Sequence, residues 1–172
     1  MTFLSVTSIV IQSNNTAEMK FQSENEIFEI VRAFENGTIS RSRWRHAEHL
    51  TVALYYVLHT PTLSNALDKM RFGIFKLLKS FEIDLSVEMP HHETLTVFWL
   101  RTVSNFVKSK NDSSIVGICN ELIETFDKDY PLKFYSRELL FSEKSRKILV
   151  QADLRNDNGK LLFDYKSVSH QN

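Results

Sequence analysis

The sequence predicts an all-α protein, a single-domain, mostly antiparallel bundle of five or six helices. Three observations predict it. Apolar residues recur with helical period through most of residues 24–127. Four glycines and three prolines in 172 residues are too few for the tight turns of an all-β fold. Most connections between the periodic stretches are short, which favours antiparallel neighbours. A chain of this length is one ordinary domain, and thirteen phenylalanines give it a well-filled aromatic interior.

The elements follow in order. Ser23, Glu24, Asn25 and Glu26 form a capping box that opens a helix over Ile27, Ile30, Val31 and Phe34, and Gly37 ends it. A second helix spans about 42–58 and stops before Thr60 and Pro61. The third, over about 64–81, carries the clearest one-face stripe: Leu63, Leu67, Met70, Ile74, Leu77, Leu78 and Phe81. A fourth starts near Pro90 and runs to about Lys108, and a fifth covers about 113–127. Beyond Pro131 the pattern is less regular, with a short helix opened by Ser142 and Glu143 and a turn at Asn156, Asp157, Asn158 and Gly159. The expected organisation is an N-terminal arm or extension (1–20), a helical body (21–155) and a C-terminal tail (156–172) that frays from Ser167. Residues 1–12 are apolar but lack a basic start and a small-residue cleavage site, so they are not read as a signal peptide; Met19 is an alternative start.

Composition excludes several function classes. Lysine plus arginine and aspartate plus glutamate balance at 21 each, leaving no basic surplus for nucleic acid. Arg41, Arg43 and Arg45 form a local run, read with Glu35 and Glu48 nearby as a solvated helix entrance. No apolar run reaches membrane-spanning length. The single cysteine, Cys119, excludes an internal disulfide and fits a reducing, cytoplasmic setting. Its neighbours Ile115, Ile118 and Leu122 mark it as a buried, inert thiol.

The candidate site comes from two histidine clusters, 44–50 (Trp-Arg-His-Ala-Glu-His-Leu) and 90–94 (Pro-His-His-Glu-Thr), which hold four of the six histidines. His46, His49, Leu50, Ala53 and Val57 share one face of a helix, as do His92, Thr96, Trp99, Val103 and Phe106. His46, His49 and His92 therefore point inward, where an imidazole needs a hydrogen-bond partner or a metal. The expectation is that these three hold a divalent ion (zinc, iron or manganese) and that Glu93, on the flank, is a fourth ligand or general base. Bound water would then carry out hydrolysis or lyase chemistry on a small molecule. The alternative is a ligand-binding or helical interaction module with structural histidines, since an H-x-x-H pair alone is a weak motif. His91 is about 100° away from His92 on a helical wheel and is read as a surface residue. Tyr135, Ser136, Arg137 and Arg101 are read as caps and surface ion pairs, with a fold-back of the tail over the site as the alternative.

The segments 34–37 (Phe-Glu-Asn-Gly), 44–50, 71–74 (Arg-Phe-Gly-Ile), 92–96, 135–142 and 152–154 resemble a family of small, uncharacterised bacterial helical proteins with Trp-Thr-His-x-x-His-Leu and Tyr-His-Glu-Thr segments. The resemblance covers about 24–154 and implies that His46, His49, His92 and Glu93 belong to one site. It supplies no substrate. Arg45 and His91 stand where that pattern has threonine and tyrosine.

Overall fold

The computed structural model describes residues 20–84, 90–110, 114–161 and 163–165. The expectations for residues 1–19, for the frayed end from 167 and for most of the 82–89 connection lie outside the described residues. The chain is all-α, with helices α1 (Glu24–Asn36), α2 (His46–His59), α3 (Leu63–Ser80), α4 (Glu93–Lys108), α5 (Ile115–Thr125), α6 (Arg137–Leu140) and α7 (Glu143–Lys147) and a 3-10 turn at Tyr130–Lys133. Among the described residues there is no strand, only one isolated bridge between Arg155 and Leu161. No described helix is long and apolar enough to cross a membrane.

Local chemistry explains most boundaries. The Glu26 carboxylate accepts the amides of Gln22 (2.7 Å) and Ser23 (3.4 Å) ahead of α1. Gly37 closes α1 in the left-handed region at φ 70°, where the absence of a Cβ matters. Thr62, Ser114, Ser136 and Ser142 accept amide protons at the starts of α3, α5, α6 and α7.

Helix α2 is the centre of the bundle, packing on α1, α3, α4 and α5. The main core runs through Ile27, Phe34, Leu50, Leu54, Leu77, Leu100, Val103 and Leu122, all buried. Cys119 is buried there, and burial raises its thiol to about 11, so it stays protonated and inert as expected. Thr51 Oγ1 lies 3.5 Å from its sulfur.

Gly73 sets one detail of this core. The Phe34 ring lies so close to α3 that a Cβ on residue 73 would stand 2.1 Å from Phe34 Cε1. Phe34 in turn stacks on Trp44 at 4.8 Å between ring centroids. We expect Gly73→Ala to lower stability by about 2 kcal/mol through overpacking, even though alanine is the better helix former by about 1 kcal/mol. Urea denaturation at unchanged m-value measures this; a variant as stable as the parent would show that Phe34 moves aside at no cost.

A second, smaller core joins Phe98 of α4 to Tyr135, Leu140, Val150, Ala152 and Tyr165. Tyr135 Oη donates to the Val150 carbonyl (3.0 Å) and lies 2.6 Å from Tyr165 Oη. Arg101 sets its guanidinium 4.9 Å from the Tyr165 ring centroid and donates to that residue's carbonyl. Gln151 bonds the Phe163 carbonyl and the Tyr165 amide. Tyr165 is thus buried in this second core and Phe163 packs against it, both within the expected C-terminal tail and ahead of its expected frayed end, and Arg101 is a core support rather than a surface ion-pair residue. The expected turn at 156–159 forms, with Gly159 at φ 71° and Asn156 Oδ1 accepting two amides.

Candidate functional site

The N-terminal ends of α2 and α4 meet at one cleft of about 500 Å³. Its walls include Trp44, His46, His49, Met70, Ile74, Leu78, Leu95, Trp99, His91 and His92, and its lining also carries Arg41, Arg45 and Lys128, which are exposed and form the rim. Among the described lining residues there is no carboxylate. Two of the histidines face tryptophans: His49 lies 4.0 Å from Trp44, and His46 lies 4.7 Å from Trp99, between ring centroids.

Each histidine has a distinct environment. His46 is the first residue of α2, and its Nε2 donates to the Phe126 carbonyl at 2.9 Å. Burial lowers its pKa, with that bond pulling the other way. His49 lines the cleft and makes no side-chain hydrogen bond among the described residues. Burial, helped by the nearby His46, pushes it down to about 3, so it is a neutral ring at physiological pH. His92 lies one residue before α4, in extended backbone at φ −136° and ψ 96°. Its Nδ1 accepts the Leu95 amide proton (3.2 Å) as the helix cap, and its Nε2 donates to the Leu140 carbonyl (2.7 Å). Burial lowers its pKa too. The sequence reading placed His92 within the first turn of a helix from Pro90; the imidazole cap delays the start to Glu93, and both ring nitrogens are used in holding the fold.

Glu93 does not line the cleft. Both its oxygens are engaged by Arg71, through Nη2 to Oε1 and Nε to Oε2 (3.2 Å), and Oε2 also accepts from His91 Nε2 at 3.2 Å. Burial opposes its ionised form, but the Arg71 and His91 bonds outweigh that and hold the carboxyl below the usual range. His91, expected at the surface, is instead buried with 8% of its surface exposed and rests on Phe75 at 4.9 Å between centroids. The extended backbone ahead of α4 turns both His91 and His92 inward, which a helical wheel does not allow.

His46, His49 and His92 all line the cleft. Among the described residues, no three His, Cys, Asp or Glu side chains are placed to hold a metal ion. His46 and His92 each commit Nε2 to a peptide carbonyl, and His92 also commits Nδ1. The described residues as arranged do not fit the expected ion.

Sequence reasoning found parts of the cleft lining but not their convergence. Trp99 was legible on the His92 face, and Arg41 and Arg45 were legible as a basic run. Nothing in the local sequence marks Lys128, which arrives after α5. Tyr135 and Ser136 do not cover the cleft: Ser136 caps α6 and bonds Asp153 (2.6 Å), while Tyr135 is in the second core. Comparison of the chain with protein-family models, curated proteins and solved structures found no match.

Proposed function

We propose that the protein binds a small organic anion with a flat apolar body in the α2–α4 cleft. The observation that carries this reading is the asymmetry of the walls: two tryptophans and the aliphatic or thioether side chains of Met70, Ile74, Leu78, Ile83 and Leu95 inside, three cationic side chains at the rim, and no described carboxylate in the lining. The cleft volume lies within the usual range for small-molecule sites. The starts of α2 and α4 add their partial positive charge to the same face. Arg45 is the rim cation best placed to meet an anion: its side chain bonds through Nε alone, to the Ser42 carbonyl (2.9 Å), whereas Lys128 is already paired with Asp129 (2.8 Å). Its planar fork suits a carboxylate or phosphate. His46, His49 and His92, whose pKa values burial lowers, contribute polar edges without adding charge. The reading takes up the small-molecule alternative from the sequence and needs no metal.

Isothermal titration calorimetry with 3-phenylpropionate and its uncharged amide tests the proposal. The acid is expected to bind at least about tenfold more tightly than the amide, a difference of about 1.4 kcal/mol. Raising the salt concentration narrows that gap, because the rim is exposed. Arg45→Gln is expected to remove most of it. Equal binding of acid and amide, or binding of neither across a panel of aromatic acids, rejects the reading.

A further inference from the structure

Among the described residues, six large apolar side chains are exposed, and five of them surround the start of α4. Residues 91–94 tie these five together. His91 rests on Phe75. His92 bonds the carbonyl of Leu140, the chain neighbour of Phe141. Glu93 is clamped by Arg71, the chain neighbour of Phe72. Thr94 Oγ1 donates to the Ile148 carbonyl and accepts the Val150 amide, with Leu149 between them. Phe72 is 73% exposed and Ile148 51%, so these side chains project outward instead of lining a groove.

The segments that carry them are basic, although the chain as a whole is formally neutral. Helix α3 has Lys69, Arg71, Lys76 and Lys79 against Asp68. Residues 137–149 have Arg137, Lys144, Arg146 and Lys147 against Glu138 and Glu143. Asp68 and Glu93 are both held by Arg71, and Glu143 by Lys147. Lys69 and Lys76 are steadied by uncharged groups, the Tyr56 ring and the Glu35 carbonyl, so their charge is not cancelled. Arg137 likewise lies over the exposed Phe141 ring.

We infer that this face docks on the surface of an anionic lipid bilayer. Its apolar side chains enter the headgroup boundary while the lysines and arginines meet anionic headgroups. No described helix can span a membrane, and docking of this kind requires none. A bilayer accepts side chains that project from separate segments, with no matching cavity. A second copy of the chain would set two positive faces against each other. The inference is independent of the anion site, although the two adjoin, since His91 also lines the cleft.

Sedimentation with vesicles of phosphatidylcholine, pure or mixed with phosphatidylglycerol, tests this. At low salt the affinity for mixed vesicles is expected to be at least about tenfold higher, and the gap shrinks as salt is raised. The double variant Phe72→Ser, Ile148→Ser is expected to weaken binding to mixed vesicles about tenfold. Lys144→Gln is expected to weaken it about fivefold. All three positions are exposed, so the variants keep the parent's denaturation midpoint. Leu58, the sixth exposed apolar residue, lies about 18 Å along α2 from His46, and Leu58→Ser should leave binding unchanged. Equal affinity for pure and mixed vesicles overturns the inference, as does a loss in Leu58→Ser matching that of the double variant. Absence of binding to either vesicle at low salt also overturns it and leaves the face to a protein partner. In that case, self-association that the double variant abolishes in analytical ultracentrifugation would name a second copy as the occupant.

Discussion

His92→Ala is expected to lower the unfolding free energy by roughly 3 kcal/mol at neutral pH. The substitution removes two bonds that use opposite edges of one ring, the cap on the Leu95 amide and the donor to the Leu140 carbonyl. Losing the cap alone costs about 1 kcal/mol. The remainder comes from detaching α4 from the α6–α7 segment and from the space left beside a buried residue. Ser145 Oγ also donates to the Leu140 carbonyl, so that oxygen keeps one partner and the effect stays below that of an orphaned group. His92→Asn separates the two contributions, since asparagine caps helices well but is too short to span to Leu140. It is expected to recover about 1 kcal/mol of the loss in chemical denaturation. Amide exchange should quicken in α6 and α7 for both variants while α1 and α3 remain protected. If His92→Ala matches the parent in stability, the ring has been assigned the wrong task and its nitrogens are available for other chemistry.

Acid is expected to unfold this protein earlier than its carboxylates require. His46, His49 and His92 all have folded-state pKa values below the ordinary 6.5, mainly because burial disfavours the charged ring. Above pH 6.5 neither the folded nor the unfolded chain protonates these rings, and they carry no penalty. As pH falls below 6.5 the unfolded chain takes up protons that the folded chain refuses, so stability falls with pH. For His49 the loss continues until the folded ring titrates, at about 3. Each refused proton costs about 1.4 kcal/mol per pH unit, so His49 alone removes about 2 kcal/mol between pH 6.5 and pH 5. The deficit lies above the range in which Glu93 and Asp153, both held below their usual values, begin to matter. His49→Phe keeps an aromatic ring against Trp44 and abolishes the titration. Its stability between pH 6.5 and pH 5 should fall with a slope lower by about one proton than the parent's. Parallel curves for the two proteins would mean that His49 takes up its proton freely in the folded state.

The contrast between these two histidines shows where the sequence was readable. The capping box at Ser23, the glycine stop at Gly37 and the apolar stripe of α3 are local signals, set by residues within a few positions of one another, and they predict the elements the structure contains. His46 and His49 lie inside α2, so the helical wheel placed both on the inward face. His91 and His92 precede α4, where the backbone is extended, so the same wheel misplaced His91 and misread the role of His92. A ring that caps its own helix is indistinguishable in sequence from a ring within the first turn. The segment from 130 to 165 was unreadable for a different reason. Its place is fixed by bonds across long stretches of chain: Thr94 Oγ1 donates to the Ile148 carbonyl, His92 bonds Leu140, and Tyr135 meets Tyr165. None of these leaves a period in the sequence. The cleft itself was half legible: the histidines and the basic run pointed to it, but their convergence with Lys128 depends on how α5 ends.

The Trp44 ring is held between His49 on one side and Phe34 on the other, and Phe34 rests on the bare backbone of Gly73. One wall of the cleft is therefore propped from behind, by a residue that no guest molecule would touch. Bulk added at position 73 would travel through two aromatic rings before reaching the space it alters. The breadth of the opening can thus be retuned from inside the bundle, leaving every side chain at the mouth as it is.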